Sequence, residues 1–441
     1  MNLDCFEPGD FEYDNCLSNV FNGEAAASHP KLILQPKNEE EVSTALRLAV
    51  QQGLSVSVLG GGHSRFCAAD DQIMLDLSAN MNCISLEGDR VRIQGGASMG
   101  MVLSALAAER RMIPAGTHPT PGFGLLTMGG IGHLSRSLGL TIDSIHALSG
   151  VRPDGEKFRI TSATSDQELW VMMRGGALFL AVITEAEVNT YPRNSLSVFR
   201  SINNLEKLSD VITLAENLDN HVSCSLILAV PADHEDPCLL IYAVSPEVHQ
   251  DLLQDLADVS IGWVKTFDGL ESLPEFNMPL MNGTKIFPEI GPIDRHKRVR
   301  TWSYSISLPA GCCEKIAIIL EKFMCKLPNN DCRIDLQHIG GVVSDVHNDQ
   351  TLYRGRGAEW SIVITACWPA QNKSADKAAR AWVDELFKCL TPMAVHYYIV
   401  ERHPETEFYD QELKLAFGPW LDRIRQRKLL WDPKGILPSL R

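Results

Sequence analysis

Several things this 441-residue chain lacks narrow its function at once. Its first thirty residues, MNLDCFEPGDFEYDNCLSNVFNGEAAASHP, are acidic and polar, without the basic n-region and apolar h-region of a secretory leader, which predicts a cytoplasmic protein. No apolar run reaches the eighteen or so residues of a membrane span, so no membrane role is expected. There is no basic stripe: the net charge is -15, and a phosphate-backbone partner needs clustered Lys and Arg, so nucleic acid is excluded as a partner. The twelve cysteines are scattered, with one adjacent pair (Cys312, Cys313) and no CxxC or Cys/His spacing for a tetrahedral metal site, so no metal is expected and the thiols read as reduced and mostly buried. Internal repeats and low-complexity segments are missing as well.

What is present is an ordinary globular composition, 45% hydrophobic and 22% charged, in a chain long enough for two or three domains. KLILQP alternates as a strand; Asn38 then stands as a helix cap with Glu41 three residues on, Val42, Ala45, Leu46 and Ala49 recur at helical spacing, and Gly53 ends the helix. LSVSVLG alternates again, and directly after it come Gly60, Gly61, Gly62 and a lone His63. Glycines at a strand end let the backbone turn sharply and let a flat or charged ligand approach main-chain N–H groups.

A second glycine-rich stretch, PAGTHPTPGFGLLTMGGIGHLSRSLGLTIDSI, leaves no room for an ordinary helix or strand between Pro114 and Gly132. Neither loop has the GxGxxG spacing that runs from a strand straight into a helix, so a nicotinamide-type dinucleotide fold is disfavoured. Two separated loops suit a long dinucleotide held extended by backbone amides. SGVRPDGEKFRIT reads as a hairpin around Asp154-Gly155, DQELWVMMRGG as a short helix and ALFLAVITEAEVNTYP as a buried strand. From about 196 the glycine loops stop, and SCSLILAV, CLLIYAV, RTWSYSISLP, RIDLQHIGGVVSDV and EWSIVITACWP read as strands beside the helices EKIAIILEKFMCKL and DKAARAWVDELFKCL. The expected architecture is α+β: residues 1–195 as one domain, 196–395 as an antiparallel sheet backed by helices, and 396–441 as a tail of short elements.

GGGHS at 60–64 resembles the GGHS motif of the berberine bridge enzyme-like FAD-linked oxidases, within the vanillyl-alcohol oxidase superfamily. The likeness continues through LDLSANMNCISL, IPAGTHPTPGFGLLTMGGIGHLSRSLGLTID, VRPDG, DQELWVMMRGG, AVIT, IGGVVSDVHNDQTLYRGR and the closing DPKGIL, nearly the whole chain. It implies a two-domain PCMH-type FAD-binding fold, with the third segment returning to the FAD domain, and FAD bound covalently through His63. The implied cofactor site comprises Leu59, Gly60, Gly61, Gly62, His63, Ser64, Gly116, Thr117, His118, Gly122, Thr127, Gly129, Gly130, Gly132 and Ile183. Many members carry a second covalent bond from a cysteine in the loop that here reads GTHP; Thr117 and His118 offer no thiol, so a single bond is expected. Met128 replaces one glycine of a family triple, Leu178-Phe179-Leu180-Ala181 replaces a glycine-rich turn, and HYYIVE at 396–401 stands where the family has Y.NY.

The implied reaction is hydride transfer from a small-molecule substrate (an alcohol, sugar or natural-product intermediate) to the flavin, with O2 as final acceptor. A base must take the accompanying proton. Tyr398 is the first candidate, with His396 beside it on one face of the HYYIVE strand and Tyr397, Ile399 and Glu401 on the other; a nearby positive charge would make the phenol acidic. His338 in DLQHIGG is the second candidate, and Cys67, four residues after His63, reads as a bystander thiol. Two rivals stand beside the oxidase: an oxidative cyclase forming a C–C or C–O bond, and a redox-neutral cyclase or ligand-binding protein that keeps FAD for shape.

Overall fold

Asn38 sets the start of the first long helix. In the computed structural model, which describes residues 3–273, 296 and 298–441, its side chain accepts the Glu41 N–H at 3.0 Å. The Glu41 carboxylate reaches back to the Lys37 N–H at 2.8 Å, one residue earlier than a capping box requires. The helix Glu39–Gln52 buries Val42, Ala45, Leu46 and Ala49 completely and stops where Gly53 turns left-handed at φ 65°. Flanking strands Leu32–Gln35 and Val56–Leu59 lie on either side of Ile73–Asp76, parallel to it, and Asp4–Phe6 adds an antiparallel edge.

A second sheet of five antiparallel strands follows, in the order 84–87, 90–94, 182–189, 145–151, 157–161. Its last two strands are the hairpin read from SGVRPDGEKFRIT, closed by Gly155 at φ 84°. The long glycine loop between strands 90–94 and 145–151 of this sheet is not wholly irregular: Phe123–Met128 makes a six-residue helix inside it.

The third sheet has eight strands, ordered 262–268, 195–204, 238–246, 223–229, 333–338, 360–369, 299–308, 396–397, with every pair antiparallel. Helices Leu208–Ala215, Cys313–Met324 and Lys373–Leu390 back it, burying Ile212, Leu320 and Leu386. Ser195–Asn204 and Gly262–Asp268 belong to this sheet without an earlier strand reading, because the second is exposed along almost its whole length and carries no clear alternation. RIDLQHIGGVVSDV is a strand only as far as His338. Gly340 and Gly341, at φ 71° and 52°, then turn the chain into the short helix Val342–Asp345.

HYYIVE is likewise shorter than the alternation predicts: only His396 and Tyr397 pair as strand, Tyr398 adds one hydrogen bond from its N–H to the Ser305 carbonyl at 3.0 Å, and a turn follows. The rest of the tail, expected as short elements, contains the helices Tyr409–Phe417 and Leu421–Trp431. It runs back to the first sheet, where the Ile436 carbonyl accepts the Val56 N–H at 2.8 Å and buried Lys428 reaches the Phe179 carbonyl at 3.1 Å. All twelve cysteines are free and only six are buried, so the expectation of mostly buried thiols is half met. Among the described residues no helix is long and apolar enough to cross a membrane.

Candidate functional site

The two glycine loops cross in contact. A Cβ built on Gly61 would lie 2.3 Å from the Gly122 nitrogen and 2.4 Å from the Thr120 carbonyl oxygen, and one on Gly122 would lie 2.3 Å from the Gly61 nitrogen. Both positions therefore need glycine for the loops to meet at all. Gly60 is looser, 3.0 Å from the Gly95 carbonyl, and Gly62 turns left-handed at φ 72° against Leu59 and the backbone of Phe21. Among the described residues the N–H groups of Gly61, Gly62, His63 and Ser64 donate to no protein acceptor. Four consecutive unspent donors beside a backbone crossing are a donor set of the kind that binds phosphate oxygens, so their chemistry fits the pyrophosphate of a dinucleotide.

His63 follows this concavity with its ring clamped. Phe21, from the N-terminal segment, stacks on it at 3.9 Å between centroids and 14° between planes. His63 Nε2 is hydrogen-bonded to Thr120 Oγ1, which also lies 2.7 Å from His118 Nδ1. Burial and neighbouring His118 push the His63 pKa down to about 3, so the imidazole is neutral. His118 is buried and Thr117 half-buried, while Ser64 is exposed and its hydroxyl accepts the Phe66 N–H at 3.2 Å. Cys67 is buried with its thiol pushed up to about 12, as expected of a bystander.

Several other glycines of the second loop answer to the fold. Gly132 lies against the Ala115 carbonyl, Gly130 against Thr141 Oγ1 and Gly116 against the Leu125 side chain, with built Cβ distances of 1.7, 2.0 and 2.5 Å. Thr127 bonds back to the Phe123 carbonyl at 3.0 Å, and Met128, where the family has glycine, packs into the core. Ile183 is buried in the second sheet with its carbonyl against Gly95.

Tyr398 does reach this loop. Its hydroxyl accepts the Gly130 N–H at 3.0 Å, and its ring fills the space a Gly129 side chain would take. Burial holds its pKa well above the usual phenol value, opposite to the direction a ready base requires, which corrects the expectation of an acidic phenol. His396 lies on the same side, its ring 4.6 Å from that of Tyr353, which in turn meets Tyr398 at 5.8 Å. It is buried, neutral, with its pKa pushed to about 3 by burial and then by Arg356 and Arg354. Tyr397 faces the other way, against Tyr304 and Phe387, as alternation predicts.

His338 sits elsewhere as a satisfied core histidine. Nδ1 accepts the Cys224 N–H at 3.1 Å, Nε2 lies 2.8 Å from Glu359, and the ring stacks on Trp360. Burial lowers its pKa to about 4 even though Glu359 pulls the other way. With both nitrogens engaged in the core, the geometry does not support a base here.

The residues that sequence reading missed are the ones that join distant segments. Arg356 grips Asp143 with two bonds, 2.8 and 2.6 Å, and Arg136 pairs with Glu359 while donating to the Ile339 carbonyl at 2.7 Å. Phe21 and Thr120 bracket His63. Single polar residues in loops carry no periodic signal, so nothing in the text marked them. Glu401 is a further case: half-buried, its carboxyl raised by burial, it accepts from Ser303 Oγ at 3.2 Å near Arg65, two residues beyond His63.

Residues 30–161, which contain the crossing and His63, match the family model described as an FAD binding domain. Over nearly its whole length the chain is similar to FAD-linked oxidoreductases. An FAD-linked oxidoreductase of Dictyostelium discoideum is 24% identical over 444 residues, covering 98% of this chain and 93% of that protein. Among solved structures, the chain is similar to a chitooligosaccharide oxidase (TM-score 0.84, 17% identity) and to Physcomitrella patens BBE-like 1 (TM-score 0.84, 18% identity). Each likeness covers 100% of this chain and 96% of the other. The chain thus shares the PCMH-type fold of berberine bridge enzyme-like proteins, as the resemblance implied.

Proposed function

We propose that this FAD-linked oxidoreductase is an oxidase of a small alcohol, sugar or natural-product intermediate, with the flavin tethered through His63 alone and O2 as electron acceptor. The observation that carries the reading is the clamped, neutral His63 directly beyond four unspent backbone donors at the crossing of two glycine loops. FAD, when bound, supplies the two-electron redox chemistry. The chain supplies the rest. Residues 1–195 hold the cofactor, with Leu59 to Ser64 and Gly122 on the pyrophosphate side and Gly129, Gly130 and Ile183 farther along. The sheet of 196–395 carries the substrate, and the tail from 396 brings Tyr398 to the second loop.

Tyr398, whose oxygen accepts from Gly130, keeps its own hydrogen to donate to a substrate oxygen, and His396 backs it through Tyr353. We assign the proton acceptor to Glu401, a carboxylate whose pKa is raised by burial and which stands by both Arg65 and Tyr398. A sugar substrate has support from the chitooligosaccharide oxidase, whose fold this chain shares. Anaerobic addition of candidate alcohols and oligosaccharides should bleach the flavin absorbance, and admitting air should restore it with release of hydrogen peroxide. A ligand that binds without bleaching, across the panel, would instead favour the redox-neutral rival. Acid precipitation tests the tether: colour should stay in the pellet.

A further inference from the structure

His63, Thr120 and His118 form a chain whose hydrogens can be placed one by one. The Thr120 N–H donates to His118 Nδ1 at 3.3 Å, so that nitrogen carries a lone pair. Thr120 Oγ1 lies 2.7 Å from the same nitrogen and donates its one hydroxyl hydrogen there. The remaining contact, between Thr120 Oγ1 and His63 Nε2, must then use a hydrogen from the imidazole. A neutral imidazole has one N–H, so His63 is the Nε2–H tautomer and Nδ1 is a bare lone pair. Among the described residues Nδ1 has no hydrogen-bond partner.

We propose that Thr120 and His118 are positioning residues that fix His63 as a nucleophile at Nδ1 and carry away its Nε2 proton as the flavin becomes attached. The inference rests on the tether proposed above and specifies its chemistry. One N–C bond forms between Nδ1 and the ring methyl carbon of FAD, and one C–H bond at that carbon breaks. The two electrons reduce the ring, which passes them with two protons to O2 as hydrogen peroxide. The Nε2 proton, passed through Thr120 Oγ1 to His118 Nδ1 and on from there, and the proton of the broken C–H bond are the two that O2 takes up, so the alkylated imidazole and His118 both end neutral. Phe21, stacked on the ring, keeps the imidazole plane from turning.

The test follows covalent attachment by intact mass after FAD is added to the full-length apoprotein in air, with non-covalent FAD binding measured in parallel. Wild type should gain the flavin mass, with the isolated flavin peptide substituted at Nδ1 by NMR. Thr120→Val should still bind FAD but attach it roughly 100-fold more slowly, the low end of what assisted proton transfer contributes, while Thr120→Ser should match wild type. His118→Asn, whose amide oxygen can hold the Thr120 hydrogen bond but cannot take up the proton, should be slowed like Thr120→Val, and His118→Leu should be slowed at least as much, which covers the case of one variant failing to fold. Attachment through Nε2, or a Thr120→Val rate equal to wild type, overturns the relay while leaving the tether standing. A wild-type chain that binds FAD but never gains its mass overturns the tether, and the relay with it.

Discussion

Replacing Gly61 with alanine tests the loop crossing directly. The added methyl would stand 2.3 Å from Gly122 N, 2.4 Å from Thr120 O and 2.8 Å from Pro121 C, all backbone atoms that no rotamer change can move aside. Ordinary contact starts near 3.4 Å, so the two loops must separate by about an ångström, and Thr120 moves off His63 as they do. Forcing a methyl into packed surroundings costs about 1–3 kcal/mol. If that cost falls on the cofactor-competent arrangement, FAD binding weakens roughly 5- to 150-fold, since 1.4 kcal/mol is tenfold. Flavin titration of the apoprotein measures it, and urea melts separate the part that falls on stability. Gly357→Ala is the control: that glycine is exposed, has nothing within 4 Å of a built Cβ and should change neither readout. A Gly61→Ala protein that binds FAD and unfolds like wild type would refute the crossing.

Tyr398→Phe leaves the buried Gly130 N–H without its 3.0 Å acceptor and should cost about 1–3 kcal/mol in urea melts, with kcat/KM reduced. Glu401→Gln should remove the acid limb of the kcat/KM pH profile, whereas an unchanged profile would exclude Glu401 as the proton acceptor. Breaking the two-bond Arg356–Asp143 pair with Arg356→Met leaves the half-buried Asp143 carboxylate without its guanidinium and should destabilise by about 1–3 kcal/mol. Stability should also fall in acid. His338 and His396 have folded pKa values of about 4 and 3 against 6.5, so the unfolded chain binds their protons first and stability drops as pH falls from about 6.5 toward 3. Each contributes at most about 1.4 kcal/mol per pH unit. His63 and His403, lowered by burial as well, add to them, while Glu412, raised by burial, opposes them above its unfolded pKa, so the net slope read from melts at pH 7 and pH 5 should be smaller than the four histidines' sum but of the same sign.

Local signals carried most of the architecture. Asn38, Gly53 and Asp154-Gly155 are found as a cap, a stop and a turn because each acts through its own backbone within four residues. The second sheet and the core strands of the third followed from alternation and apolar runs. What stayed hidden depends on partners far along the chain. His338 and His396 look equally available as text, yet one is spent between Cys224 and Glu359 while the other lies one ring away from Tyr398. The HYYIVE face pattern was legible and its short length was not, because the turn at Ile399 depends on where Ser305 ends the pairing. Tyr398 was named for its place, but the sign of its pKa shift depends on burial and on Gly130, 268 residues away in sequence.

The docking of Ile436 on Val56 governs when this protein can become competent during synthesis. A ribosome must emit the whole stretch from Val56 to Ile436 before the sheet bearing the first glycine loop gains this hydrogen bond, and Tyr398 arrives only slightly earlier. Nascent chains therefore leave the first glycine loop's sheet unfinished throughout that stretch of synthesis, a period of slow, long-range closure in which a change near Ile436 would be felt at Val56.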